Sequence, residues 1–123
     1  MQYNSFEELN VYKNAILLRQ EMRKLALTFP PEEKYQLTDQ LIRSTRKCPA
    51  QIAEGHGRYH HQENIQYCRI ARGSLYETID HLICAKECVY ITNEYLEIKK
   101  GQITTLIKMI NGYIRFLNNE KKK

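Results

Sequence analysis

The stretch CPAQIAEGHGRYHHQENIQYCRIARGSLYE, at residues 48–77, decides how the chain is organised. It predicts the end of one helix, a polar turn over residues 54–61, and the start of a long second helix. Gly55 and Gly57 are the two glycines of the predicted turn, and glycine enters left-handed backbone without steric cost. We therefore expect both glycines to form the turn.

Length and composition point to one domain over residues 1–123, with enough apolar residues (42%) to form a core. The 5 glycines and 3 prolines allow few turns, so the elements should be few and long. The net charge of +5 favours an anionic partner, which would be nucleic acid or an acidic surface. Three of those positive charges are Lys121–Lys123 at the C-terminus, which we interpret as a frayed tail.

Nothing in the sequence indicates a membrane or a secretory pathway. There is no N-terminal apolar segment of the signal-peptide kind and no apolar run long enough to span a bilayer. We therefore predict a cytoplasmic protein whose 4 cysteines are reduced. No two cysteines form a C-x-x-C pair, and no cofactor-binding motif is present.

Apolar residues recur at steps of three and four along the whole chain, which is typical of amphipathic helices. In the third helix, for example, the predicted core row is Cys68, Ala71, Leu75, Thr78, Leu82, Ala85 and Val89. No segment shows a period of two, so we expect no sheet. The pattern predicts helices over about residues 5–29, 32–54, 61–90 and 93–118, followed by a basic tail over 119–123. Short connections between four helices predict an all-α, up-down-up-down four-helix bundle.

Five segments of this pattern resemble a known family, the intervening-sequence proteins encoded within insertions in bacterial large-subunit ribosomal RNA genes. The segments are FEELNVY at 6–12, FPPEEKY at 29–35, LTDQL at 37–41, PAQIAEGHGR at 49–58 and IARGSLYE at 70–77. The resemblance implies a left-handed four-helix bundle, a ring-like homopentamer, no catalytic activity and a nucleic-acid role. The chain departs from the family pattern at Arg46, Gln51 and His60, where relatives carry an apolar residue, an asparagine and a capping serine.

The candidate nucleic-acid-binding residues are basic side chains near the central stretch. Arginine suits phosphate, and a neighbouring tyrosine such as Tyr59 can stack on a base. In a ring, each basic patch would be repeated around the symmetry axis and gain avidity. The alternative for these side chains is an ordinary solvated surface. The candidates are Arg43, Arg46, Lys47, Arg58, Arg69 and Arg72.

Two glutamates in the matched motifs, Glu54 and Glu77, have two interpretations. As structural residues they would pair with a basic neighbour such as Arg58 or bond the backbone of the turn. As paired carboxylates they would serve acid–base or metal chemistry. We expect the structural role and group them with Gly55 and Gly57 as motif residues.

Histidine and cysteine suggest a metal site in two places, and each has a simpler reading. His81, Cys84 and Cys88 recur at steps of three and four, so one helical face would present all three. Packing explains the cysteines equally well. His56, His60 and His61 form a second cluster, which we expect to be solvated or stacked on a partner. We predict no metal and no other cofactor.

Two functions remain open at this point. The first is a non-enzymatic protein that binds RNA or DNA through phosphate contacts. The alternative is an oligomeric protein-interaction scaffold that binds no nucleic acid. An enzyme or metal protein using Glu54, Glu77 or the His81 cluster is the third and weakest hypothesis.

Overall fold

The computed structural model describes residues 5–123, which contain four α-helices and no strand. The predicted all-α class is therefore confirmed, and residues 1–4 of the predicted domain lie outside the described part. The helices are α1 (Asn10–Ala26), α2 (Leu37–Gly57), α3 (His61–Glu87) and α4 (Asn93–Lys121).

Each helix packs against the next one along the chain, and α1 also packs against α4. Contacts are densest between α2 and α3 and sparsest between α1 and α4. All four helices contribute large apolar side chains to one core, and burying each of these stabilises the fold by about 1.5–3 kcal/mol. The largest are Met22, Leu41, Ile52, Ile65, Leu75, Leu82, Ile103 and Ile110.

Buried hydroxyl groups join α2 to α3 within this core. The Ser44 and Thr78 hydroxyl oxygens lie 2.9 Å apart and share a hydrogen bond. Each hydroxyl oxygen also lies near a carbonyl of its own helix, 3.2 Å from Leu41 O for Ser44 and 2.9 Å from Ser74 O for Thr78. Because each hydroxyl has one proton, one of the two donates to the other, and the accepting hydroxyl donates to the carbonyl of its own helix. These bonds satisfy the polar atoms, so small residues can be buried here at little cost and the two helices can approach closely.

The first helix begins later than predicted. Phe6–Glu8 form a single 3₁₀ turn, and the Ser5 hydroxyl accepts a hydrogen bond from the backbone N–H of Glu7 at 3.1 Å. Leu9 then has extended backbone and its side chain is buried. Ser5, where the first helix was predicted to begin, therefore caps this short turn, and α1 starts only at Asn10.

The second helix also begins later than predicted, because part of its predicted range belongs to the connection from α1 to α2. Pro31–Glu33 form a 3₁₀ turn, so α2 begins at Leu37 instead of residue 32. The Tyr90 hydroxyl donates a hydrogen bond of 2.7 Å to Glu33 Oε2. This bond raises the pKa of Tyr90 to about 12. It ties the α1–α2 connection to the α3–α4 connection at one end of the molecule.

The third helix ends at Glu87, not at residue 90, because Val89 adopts left-handed backbone with φ 63°. The Tyr90 N–H bonds the Ala85 carbonyl and the Val89 N–H bonds the Lys86 carbonyl, both at 2.9 Å. This is the Schellman pattern of helix termination, in which the left-handed position usually holds glycine. The prediction that Val89 belongs to the core row was wrong, since its side chain is 86% exposed.

The fourth helix is longer than predicted. The Thr92 hydroxyl caps it by accepting from the Tyr95 N–H at 3.0 Å. The helix continues through Gly101 and reaches Lys121. Most of the predicted tail over 119–123 is thus helical. None of the helices formed by residues 5–123 is long and apolar enough to cross a bilayer.

Candidate nucleic-acid interface

Three of the predicted cations lie on one outward-facing segment of α2. Arg43, Arg46 and Lys47 are all exposed, and their spacing of three and four residues makes them neighbours on the helix surface. We call these three residues the α2 row. Arg46 stands where the resembling family buries an apolar side chain, and here the charge points to solvent instead.

Part of the α2 row lines a groove between α2 and α3. The groove has a volume of about 350 Å³, and Arg43 and Lys47 are at its wall. Arg43 lies 3.7 Å from Asp39, and Lys47 lies 3.9 Å from Glu77. These ion pairs are long, and their side chains are about half exposed or more, so each contributes at most about 1 kcal/mol. The other lining residues are Gln40, Ser44, Glu77 and His81.

Arg58 stands at the end of α2 and is held by its own neighbours. Its Nε lies 3.2 Å from Glu54 Oε2, and its Nη2 donates to the Tyr67 hydroxyl at 2.7 Å. The guanidinium also lies 5.2 Å from the centre of the Tyr67 ring. Tyr67, and to a smaller extent Glu54, raises the pKa of Arg58. The predicted structural pairing of Glu54 with Arg58 is present.

The six predicted cations do not form a single patch. Arg72 donates to Asn111 Oδ1 at 2.8 Å, which directs it toward α4 and away from the α2 row. Arg69 is exposed on α3. Within residues 5–123, neither Arg46 nor Arg69 lies within ion-pair distance of a carboxylate. The sequence alone could not predict which of these cations share a surface, because that depends on how the helices pack against each other.

The motif glycines do not form the turn. No glycine of the described chain has a positive φ, and α2 continues through Gly57. The left-handed residue is Tyr59, with φ 54°. Gly55 is buried in α2, where an added Cβ would come within 2.8 Å of Asn64 Oδ1 and Tyr67 Cβ. Its role is to let α3 approach α2, so our turn prediction for both glycines was wrong.

The two motif glutamates lie in separate ion pairs. Glu54 contacts Arg58, whereas Glu77 lies between Lys47 and the His81 imidazole, 3.6 Å from His81 Nε2. Among residues 5–123, no three histidine, cysteine or acidic side chains lie close enough together to hold a metal ion. The hypothesised cluster of His81, Cys84 and Cys88 is therefore not brought together as a ligand set.

Basic residues that we had assigned to a frayed tail lie beside the α2–α3 connection. Lys121 donates a hydrogen bond of 2.7 Å to Gln62 Oε1, on the first turn of α3. The end of α4 thus lies beside the first turn of α3, directly after the α2–α3 connection. Only the pairing of α3 with α4 reveals this proximity, although the run of lysines was visible in the sequence.

An apolar groove runs between α1 and α4, which have the fewest contacts of the helix pairs that pack against each other. One part, of about 210 Å³, is lined by Leu17 and Met109 among others. A second part, of about 320 Å³, extends from Met109 to Tyr113 and Phe116. The side chains of Leu17 and Phe116 are partly exposed here. In the sequence, these residues appeared only as apolar positions beside the predicted core rows, and no groove was predicted from them.

The fold and the surface define an all-α protein of four helices, with a row of cations on α2 and an apolar groove between α1 and α4. A sequence model of the family described as 23S rRNA-intervening sequence protein matches residues 7–112. The chain therefore belongs to that family, as the resemblance predicted.

One solved structure with a similar fold is a protein with unknown function from the S23 ribosomal protein family of Bacteroides thetaiotaomicron VPI-5482. It shares 23% sequence identity, with a TM-score of 0.77, over 85% of this chain and 95% of that chain. This likeness concerns the fold alone. None of the curated proteins matches the chain.

Proposed function

We propose that this protein is a non-enzymatic nucleic-acid-binding protein, with RNA as its foremost ligand, that binds through phosphate contacts. The α2 row carries the proposal. Arg43, Arg46 and Lys47 present three exposed cations within about one helical turn, and the Arg43 side chain is 77% exposed. Phosphate contacts of this kind supply most of the affinity in sequence-independent binding.

The ion pairs in the groove do not oppose this function. Asp39 and Glu77 lie 3.7 Å and 3.9 Å from the cations they face, beyond the range of a strong charge-assisted hydrogen bond. A phosphate oxygen that approaches Arg43 or Lys47 would replace a weak contact with a stronger one. Arg46 needs no such exchange, since no carboxylate within residues 5–123 pairs with it.

We further propose that the four helices form a left-handed, up-down-up-down bundle that assembles as a homopentameric ring. Short connections and packing between successive helices support the bundle. The family resemblance supports the ring, which would repeat the α2 row and increase avidity. Light scattering of the purified protein tests this assembly, and a monomeric mass would contradict the ring.

A catalytic role has less support than binding. Glu54 and Glu77 each face a different basic partner, so they do not form the close pair of carboxylates that acid–base chemistry would use. We therefore place both glutamates in structural roles within this proposal.

The second candidate function is a protein-interaction scaffold that binds no nucleic acid. The apolar groove between α1 and α4 favours it, because exposed apolar side chains such as Leu17 and Phe116 are typical of protein contact surfaces. The same groove would serve the contact between subunits of a ring, so it does not contradict the first candidate.

Fluorescence anisotropy of labelled structured RNA and duplex DNA, titrated across a salt series, separates the two functions. Phosphate binding predicts an affinity that falls steeply with salt, by about 0.9 unit of log–log slope for each duplex phosphate contact. Replacing the whole α2 row by alanine should weaken binding and reduce that slope. Flat titrations at low salt with an assembled oligomer would overturn the nucleic-acid function.

A charge-matched variant provides the control. Lys13, Lys24 and Lys108 are exposed lysines outside the α2 row, and none of them pairs with a carboxylate in the described chain. Replacing these three by alanine changes the net charge equally but should leave most of the affinity. Equal losses in the two triple variants would mean that binding follows net charge and not the α2 row.

A further inference from the structure

We propose that the α2–α3 connection binds unpaired nucleobases of single-stranded nucleic acid, by stacking on Tyr59. This inference rests on the proposed function and specifies its ligand as unpaired strand. The Tyr59 side chain is 91% exposed, at the end of α2. Among residues 5–123 its ring meets no other ring or cation, and its hydroxyl makes no hydrogen bond.

The backbone of Tyr59 has an energetic cost that glycine would avoid. Left-handed backbone costs a non-glycine residue about 1–2 kcal/mol, and Tyr59 has φ 54°. The Tyr59 N–H bonds the His56 carbonyl at 3.4 Å, which terminates α2. Glycine is the usual residue at such a position, although Val89 shows that this chain also ends a helix without it. The large aromatic side chain of Tyr59 adds nothing to the core, so its exposed ring is available to stack on a ligand.

Basic residues lie near the α2–α3 connection. Arg58 precedes Tyr59, although neighbouring side chains already hold its guanidinium group. The lysine-rich end of α4 reaches the first turn of α3, where Lys121 bonds Gln62. Lys121 and Lys122 face no carboxylate within ion-pair distance in residues 5–123, so the phosphates flanking a base stacked on Tyr59 would come near ammonium groups that no carboxylate neutralises.

Stacking on Tyr59 favours an unpaired strand over a duplex. An aromatic face stacks on a base of any identity, provided that the base is not already stacked inside a helix. Stacking contacts the face of a base and not its hydrogen-bonding edge. We therefore expect binding to single-stranded RNA and single-stranded DNA alike, with weak sequence preference.

The test uses the full-length protein and anisotropy titrations with a labelled oligouridylate, a labelled oligothymidylate and a fully paired duplex. Tyr59→Gly should weaken single-strand binding by about fivefold to a hundredfold, the equivalent of one lost stacking contact. It should leave duplex binding nearly unchanged. The thermal midpoint of Tyr59→Gly should equal or exceed that of the wild type, because glycine removes the backbone cost.

Two further variants sharpen the readout. Tyr59→Phe keeps the ring and should retain wild-type affinity. Tyr35→Ala removes another exposed tyrosine, which is 83% exposed and 5.3 Å from the Lys34 ammonium group. Tyr35 precedes α2, whereas Tyr59 follows it, so the two rings lie at opposite ends of a helix about 30 Å long. This variant should bind single strands as the wild type does.

The outcomes distinguish this inference from the proposed function. If the wild-type protein binds single strands and Tyr59→Gly does not weaken that binding, the stacking site alone is overturned. A duplex affinity equal to the single-strand affinity would overturn it too. A wild-type protein that binds neither ligand at low salt would overturn both proposals together.

Discussion

Gly55 of α2 lies so close to Asn64 of α3 that a Cβ at position 55 would be 2.8 Å from the Asn64 side-chain oxygen. It would be equally close to Tyr67 Cβ, which the backbone of α3 holds in place. Gly55→Ala should therefore lower the free energy of unfolding by about 1–3 kcal/mol, as other overpacking substitutions do. Urea denaturation followed by circular dichroism measures the loss.

Gly57 provides the matched control, because a Cβ built there meets no atom within 4 Å. Gly57 is also helical, so Gly57→Ala should be neutral or stabilise the protein by up to about 1 kcal/mol. A Gly55→Ala variant as stable as Gly57→Ala would show that α3 does not depend on this close approach.

The left-handed backbone of Val89 predicts that a glycine at this position would stabilise the protein. This backbone is costly for a β-branched residue, and the Val89 side chain is 86% exposed. Val89→Gly should raise the free energy of unfolding by about 1 kcal/mol, and Val89→Ala should raise it less because alanine keeps a Cβ. Thermal and urea denaturation of both variants give the ranking. A Val89→Gly variant less stable than wild type would contradict the strained-terminus interpretation.

The ion pair between Glu21 and Lys99 predicts a dependence of stability on pH. Lys99 Nζ lies 2.6 Å from Glu21 Oε2, which links α1 to α4 where these helices have few other contacts. The hydrogen bond from Lys99 lowers the pKa of Glu21. The pair therefore stabilises the fold above the unfolded-state pKa of about 4.3, and the contribution disappears as the pH falls through the lower folded-state value.

Glu21→Gln should lower the free energy of unfolding at neutral pH by about 0.5–1 kcal/mol, since solvent partly screens the pair. The difference between variant and wild type should shrink in acid. Glu97 forms a more exposed ion pair within α4, in which Lys100 Nζ lies 3.4 Å from Glu97 Oε2. Glu97→Gln should therefore change the free energy of unfolding less than Glu21→Gln does. Denaturation curves at neutral and acidic pH measure both, and a Glu21→Gln effect that persists unchanged in acid would contradict the assignment.

The cysteines should react with thiol reagents in an order that follows burial. Burial raises the pKa of both Cys48 and Cys68 to about 12, whereas Cys88 is exposed. Native protein treated with iodoacetamide should gain one label quickly, at Cys88, and the buried pair should react only after unfolding. Mass spectrometry of intact protein counts the labels, and Cys88→Ser should abolish the fast one. Fast labelling of Cys48 would contradict the packing of α2 on α3.

Periodicity predicted the helices well, because the apolar steps of three and four report directly which face enters the core. The helix ends were harder to predict. Tyr59 and Val89 end helices in a conformation that glycine usually occupies, so the sequence offered no signal at either position. The nearby glycine at position 55 suggested a turn, although its function is to make room for Asn64.

The candidate site was predicted only in part, since residue type identifies a cation but not its neighbours. Arg43, Arg46 and Lys47 share a face because their spacing is local to one helix. Arg72 was grouped with them until packing directed it to Asn111. Lys121 was missed because its proximity to Gln62 depends on how α4 lies beside α3.

The carboxylates beside the α2 row have a consequence for ligand choice. Asp39 and Glu77 already face Arg43 and Lys47 as internal competitors, so an external anion that binds at either of these two cations has to exchange with a tethered one. A singly charged, strongly hydrated ion gains little from such an exchange, whereas a polyanion replaces both carboxylates at once. The surface would thus ignore the small anions of its surroundings and respond to a chain of phosphates. Asp39→Asn, which removes one competitor, should make the surface less discriminating.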